Sequence, residues 1–302
     1  MHVPVLLKEA VEALEVRPGG RYVDGTLGRA GHAREIAALG GEVLGIDRDD
    51  QAVAEVEAMK IGGLKIARGN HGDIKEIAEA NGWNEVDGVL LDLGVSSPQL
   101  DDAGRGFSFQ REGPLDMRMD RSRGLTAAAI VNESDAEHLE EVFREFGEEP
   151  NARRIARGIV RRRAERPFET TADLAGFVEG LVGRRGAHHP ATRVFQALRM
   201  EVNDETGELE RALTGALEIL APAGRLAVIT FESITDRMVK TFFARHTGRL
   251  VSLQQGGERW EGELPRMSPV TRRAVTASDE EIAANPRSRS AKLRVAEKTG
   301  RM

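Results

Sequence analysis

Apolar and polar residues along the first third of the chain follow two alternating rhythms. Short apolar runs at Arg21–Asp24, Glu42–Asp47, Gly63–Arg68 and Val86–Leu93 read as strands. Between them, Ala33–Leu39, Gln51–Met59 and Ile74–Ala80 carry apolar residues at helical spacing. An approach helix is expected over His2–Glu15, with Leu6, Leu7, Ala10 and Leu14 on one side, before a turn at Pro18, Gly19 and Gly20. The run Val86–Leu93 is almost continuously apolar, as a strand becomes when helices cover both faces of its sheet. Strand and helix in alternation predict a doubly wound α/β layer with a parallel sheet.

That rhythm stops at Gly94. A polar stretch with glycines and phenylalanines runs to Asp120, and helical patterns follow at Thr126–Val131, Asp135–Phe146, Asn151–Arg163, Thr171–Val182 and Thr192–Val202. After a further helix at Glu205–Leu220, the strand Gly224–Phe231 resumes the first rhythm, and Thr271–Thr276 and Ala291–Glu297 are two more strand candidates. The expected organisation is an α/β domain in two pieces, 1–103 and 204–302, interrupted by a helical domain at 104–203.

The loop after the first strand supplies the first chemistry. Gly25, Gly28 and Gly31 are spaced G-x-x-G-x-x-G, which lets the backbone turn sharply and approach a ligand closely. Dinucleotide folds use G-x-G-x-x-G to seat a pyrophosphate on a helix N-terminus. Its absence weighs against a nicotinamide cofactor and favours a nucleoside-type ligand without phosphate. Asp47 closes the second strand 23 residues after Asp24, where a carboxylate meets a ribose diol in such units. The competing role is an N-cap for the next helix, which Asp49 or Asp50 can also fill. With Asp92, three strands end in carboxylates. They suit either a chelated Mg²⁺ or an adenosine-like ligand with a cationic sulfonium tail, and the second reading is preferred.

Composition narrows the field. The chain of 302 residues has no cysteine, which removes thiolate catalysis, disulfides and cysteine-ligated metals. His188 and His189 lack a third ligand at metal spacing, so no zinc site is expected. No run approaches the roughly 20 apolar residues of a membrane span, and a cytoplasmic protein is expected. The net charge of −6 restricts nucleic-acid binding to a local patch. Residues 151–200 hold such a patch: eleven arginines, including Arg193, face only four acids. Arg154, Arg157 and Arg161 share one helix face and suit bidentate phosphate contact. A solvated charged face is the plainer alternative. Arg287, Arg289, Lys292 and Arg294 form a second basic group, a phosphate contact or a charged strand edge.

Several blocks together resemble the RsmH (MraW) family. They are Asp24-Gly-Thr-Leu-Gly-Arg-Ala-Gly-His32, Ile46-Asp-Arg-Asp49, Leu91-Asp-Leu-Gly-Val-Ser-Ser-Pro-Gln-Leu-Asp-Asp102, Arg105-Gly-Phe-Ser-Phe109 and Gly113-Pro-Leu-Asp-Met-Arg-Met-Asp120. The likeness continues through 149–163, 189–199, 236–240 and 285–294. It implies a class I S-adenosylmethionine-dependent methyltransferase, Rossmann-like, with an inserted all-helical domain. Its implied substrate is the N4 amino group of a cytidine in the decoding region of 16S ribosomal RNA, free or in the assembled small subunit. The oligomeric state is open between monomer and homodimer. The implied cofactor contacts are Ala30, Gly31, His32, Asp47, His71, Asp92 and Gln99. Three positions depart from the family: Ala30 replaces a glycine, His71 a phenylalanine common there, and Glu232 a histidine.

An amine that attacks a sulfonium methyl needs an acceptor on its N–H. Asp92 and the backbone carbonyls of Gly94–Pro98, through Ser96, Ser97 and Pro98, are the candidates, and a purely cofactor-orienting Asp92 stays equally open. Phe107 and Phe109 suit a pocket for an unstacked base, with core packing as the alternative. A nucleotide-dependent oxidoreductase and a non-catalytic ribosome-assembly factor with a vestigial cofactor site are the rival readings.

Overall fold

Neighbouring residues of the first strand serve opposite faces of the central sheet. Tyr22 packs with the helices on one side and Val23 with those on the other, and Leu90 and Leu91 repeat the division immediately before the strand-end carboxylate Asp92. This period of two, with both faces apolar, is why these runs lack polar alternation. A computed structural model describes residues 4–184, 189–252, 257–261 and 265–300. The chain divides into two compact units: Met1–Gly94 with Gly207–Met302, and Val95–Thr206. The sequence-derived limits of the insert, 104 and 203, both fall inside the second of these.

The first unit runs α1 (Leu7–Ala13), β1 (Arg21–Asp24), α2 (Gly31–Ala38), β2 (Glu42–Asp47), α3 (Asp50–Met59), β3 (Leu64–Arg68), a 3₁₀ turn (His71–Asp73), α4 (Ile74–Ala80) and β4 (Val86–Asp92). The second unit carries α5 (Ser97–Asp101), α6 (Ala127–Glu133), α7 (Ala136–Glu145), α8 (Ala152–Arg163), α9 (Thr171–Val182) and α10 (Ala191–Val202). Then follow α11 (Glu205–Ile219), β5 (Leu220–Thr230), α12 (Ser233–Thr247), β6 (Arg249–Ser252), β7 (Glu258–Glu261), β8 (Met267–Pro269), α13 (Asp279–Ala284) and β9 (Lys292–Lys298). Seven strands form one sheet in the order β3-β2-β1-β4-β5-β9-β8. The first five are parallel, and β9 and β8 join antiparallel. The order reverses between β1 and β4, and ligands of open α/β sheets bind at the carboxyl ends beside such a reversal.

Three local expectations are corrected. The first helix begins only at Leu7, because Leu6 adopts φ 51° and gives its N–H to Glu281 Oε1 at 2.9 Å. Thr271–Thr276 is no strand: the Thr271 hydroxyl takes the Val295 N–H at 2.9 Å in place of a backbone carbonyl, leaving one bridge, Val275 to Leu293. The sheet edge is β8 instead. A separate antiparallel pair, β6 and β7, had no clear apolar run to announce it.

The second unit has its own core, built around Leu139, Phe143, Ile155, Ile159, Phe168 and Leu198. Its helices start where side chains cap them: Thr126, Asp135 and Thr170 accept from Ala129, His138 and Asp173 N–H groups. Among the described residues it holds helices and one isolated bridge, Pro114 to Thr170, with no ladder. The block at 105–120 is a scaffold. Asn203 accepts from Met119 N–H and donates to Met117 carbonyl, both at 2.8 Å, and Arg105 donates to the Arg118 and Met119 carbonyls. Gly113 is required because a Cβ there would overlap the Ala103 carbonyl.

Candidate functional site

Asp24 ends β1 almost wholly buried, and the chain then folds back on itself. Thr26 N–H donates to Asp24 Oδ1 at 3.1 Å, and the Thr26 hydroxyl accepts the Asp92 N–H at 2.6 Å, tying the loop to the end of β4. Gly28, at φ 50°, donates to Asp47 Oδ2 at 2.8 Å, while Asp47 Oδ1 accepts from Asp49 N–H at 2.9 Å. Asp49 itself caps α3 through Gln51 N–H, so Asp47 is not the cap. Ala30 sits in the left-handed region at φ 57°, where glycine is the unstrained residue. Gly31 opens α2, and a Cβ there would overlap the Pro4 ring.

The N-terminal segment reaches the site in a second way. His32, 5% exposed, has Nε2 at 3.2 Å from the Val5 carbonyl. An acceptor-only partner fixes the proton on Nε2, so Nδ1 is a bare lone pair. It stands 3.9 Å from Asp92 Oδ2 and makes no hydrogen bond among the described residues. Burial holds the imidazole neutral, down at about 4.

The carboxylates here are poor anions. Burial and then the neighbouring Asp47 push Asp24 up to about 7. Burial and then Asp24 push Asp92 up to about 8. Asp47 is raised by burial and by Asp49, against the pull of its two N–H donors and Arg48. His71, half-buried after β3, is pushed down to about 3 by burial and by the Arg48 and Arg211 charges. Asp92 Oδ1 is fully shielded and has no hydrogen-bond partner among the described residues. No arginine or lysine pairs with Asp24 or Asp92 among the described residues. A ligand that brings a positive charge and a diol fits this set: the cation answers the unpaired carboxyls, and Asp47 keeps lone pairs for hydroxyls. Among the described residues no group of three His, Asp or Glu side chains is placed to hold a metal ion.

The remaining candidates lie in the second unit. Ser96 N–H donates to Gln99 Oε1 at 3.1 Å at the start of α5, so the buried Gln99 side chain already closes that helix end. Ser97 and Pro98 are the first residues of α5. Phe107 is 7% exposed and belongs to the core, so the packing alternative holds for it. Phe109 is half-buried, with ring centroids 4.6 Å from His189 and 4.8 Å from Phe195.

The arginines separate into two kinds. Arg162 lies 4.0 Å over the Phe168 ring and pairs with Asp173, Arg163 donates to the Val131 carbonyl, and Arg199 grips Glu205 with two bonds. Arg193 donates to the Glu148 carbonyl at 3.0 Å while remaining exposed. Arg153, Arg154, Arg157 and Arg161 are exposed, make no ion pair among the described residues, and line a groove of about 710 Å³ beside α7. Arg153 and Arg157 also line a second pocket, together with Glu137, Glu140, Glu141 and Arg144. Arg185 and His188 lie outside the described residues. Lys292 and Arg294 both donate to the buried Asp236, which makes them internal ties of β9 to α12. Sequence spacing gave no sign of Val5, Pro4, Thr26 or Arg211, which reach the site only through folding.

A sheet of this order, with a glycine loop after β1 and carboxylates closing β1, β2 and β4, defines a class I methyltransferase, and its cofactor is S-adenosylmethionine. The profile of the MraW methylase family matches residues 1–299. The chain belongs to that family. It is 48% identical over 302 residues to the ribosomal RNA small subunit methyltransferase H of Symbiobacterium thermophilum, covering 97% of this chain and 95% of that one. It is 49% identical over 304 residues to the protein of the same name from Thermomicrobium roseum, covering 98% and 93%. Among solved structures, an rRNA methylase from Streptococcus thermophilus superposes with a TM-score of 0.44 at 11% identity, over 99% of each chain.

Proposed function

We propose that this methyltransferase modifies the N4 amino group of a cytidine in the 16S RNA of the small ribosomal subunit. Near-full-length identity of 48–49% to relatives named for that subunit carries the reading. It also disfavours a non-catalytic assembly factor. The bound cofactor supplies an electrophilic methyl group on a positively charged sulfur. Asp47 holds the ribose hydroxyls, and the Ala30–His32 turn presents backbone to the amino-acid end. His71, neutral at working pH, offers an uncharged ring to the adenine. Gln99 completes the cofactor contacts.

An exocyclic cytosine amine has its lone pair delocalised into the ring. Asp92, as a carboxylate, accepts one N–H, localises the pair for in-line attack and then takes the proton. Carbonyls of Ser96, Ser97 and Pro98, next along the chain, are the second acceptors. Phe109 supplies an apolar face for the unstacked base, and Arg154, Arg157, Arg161 and Arg193 contact phosphates. The segment 104–203 is the RNA-recognition domain of this scheme.

The test is methyl transfer from labelled cofactor to small subunits and to free 16S RNA, followed by nucleoside analysis. Label in N4-methylcytidine supports the proposal. Label in another nucleoside, or cofactor binding with no transfer to either substrate, overturns it.

A further inference from the structure

Two carboxyls at the heart of the cofactor site have no cation to balance them among the described residues. Asp24 is 1% exposed and accepts only N–H and O–H bonds from its own loop and α2. Asp92 keeps one oxygen shielded and unbonded, and its other oxygen faces the bare Nδ1 of His32. The His32 tautomer is set from outside, by the Val5 carbonyl. A lone pair on buried Nδ1 faces a carboxylic acid more favourably than a carboxylate, because only the acid has a hydrogen to offer. The other charged or titratable groups around the pair are few. Asp47 on β2 adds negative charge beside Asp24, and His71 stays neutral. Arg48 and Arg211 act on His71, while Arg29 is paired with Glu55.

We propose that the Asp24–Asp92 pair holds one proton before the cofactor binds and loses it when the sulfonium arrives, so that the site tells the cationic cofactor from its neutral thioether product by charge. The inference rests on S-adenosylmethionine as the cofactor. On binding, one O–H bond of the pair breaks, the proton passes to solvent and the electron pair stays as a carboxylate against the new positive charge. Methyl transfer turns the sulfonium into a thioether and leaves the attacking amine with a proton to lose. That proton refills the pair through Asp92. One proton is released overall, as the reaction requires, but it leaves at cofactor binding rather than at transfer. The refilled, neutral pair no longer attracts the ligand, and product release follows.

The measurement is calorimetric titration of the full chain with S-adenosylmethionine and with S-adenosylhomocysteine, from about pH 5.5 to about pH 7, where the amino group of either ligand keeps its proton. Two buffers of different ionisation heat count the protons released. The expected result is affinity for S-adenosylmethionine that rises close to tenfold per pH unit, with about one proton released. Affinity for S-adenosylhomocysteine should change less than about twofold over the same range. Asp92→Asn or Asp24→Asn should lower the proton count for the first ligand while the second still binds, which also reports that the variant is folded. The same pH slope for both ligands in the parent protein overturns the inference and leaves the cofactor assignment intact. So does a proton count that neither variant changes. Failure of both ligands to bind overturns the two together.

Discussion

Asp47 Oδ2 accepts the N–H of Gly28 at 2.8 Å. The carboxylate that closes β2 therefore shapes the glycine loop leaving β1, and a single side chain serves both the loop and the ribose position. Asp47→Ala removes both. Hydrogen bonds to a charged group contribute about 1.5–3 kcal/mol, so titration with S-adenosylmethionine should show affinity reduced by roughly 10- to 150-fold. Affinity unchanged in this variant would remove Asp47 from the site.

Gly31 and Pro4 touch with no room for a side chain. Gly31→Ala must displace the Pro4 ring or the start of α2, and overpacking of this kind costs about 1–3 kcal/mol. Thermal unfolding should report a lower midpoint. Because Pro4 is next to the Val5 carbonyl that fixes His32, cofactor affinity should fall as well.

Two arginines five residues apart on α8 should behave differently. Arg157 is exposed and unpaired among the described residues, so Arg157→Ala should leave the melting point unchanged, weaken binding to 16S RNA and reduce the salt slope by about 1. Arg162 covers Phe168 and pairs with Asp173, so Arg162→Ala should cost about 1–3 kcal/mol of stability with the slope unchanged. Equal salt slopes for parent and Arg157→Ala would place the RNA elsewhere.

Burial and the nearby Asp24 raise the Asp92 carboxyl to about 8. An acid raised in the folded state binds more protons folded than unfolded across the interval from the ordinary carboxylate range to that value. Its contribution therefore falls as pH rises through the interval. Without ligand, Asp92→Asn should gain melting temperature on the parent between pH 5 and pH 8.5. A constant gap between the two proteins would show that Asp92 is ionised throughout.

The block 105–120, part of the family resemblance, shows how far residues alone can be read. Its specificity pointed to chemistry, yet Arg105, Asn203, Gly106 and Gly113 mostly hold a tight loop together. Phe107 went the same way, into the core. A motif records that residue types are needed, and buried hydrogen bonding and close backbone approach need them as strictly as catalysis does.

The strand–helix alternation, the break at Gly94 and the three strand-end carboxylates were legible along the chain. Each follows from periodicity or from a residue's place at the end of an apolar run, which are local properties. The family resemblance added the cofactor and reaction. Folding decided which arginines are spent on internal bonds and that β9 runs antiparallel to both β5 and β8. It also set the His32 tautomer through Val5 and left Asp24 and Asp92 without a counter-ion among the described residues. Those depend on which groups meet across long stretches of chain, and on how far water is excluded from them. Neither is written in any one segment.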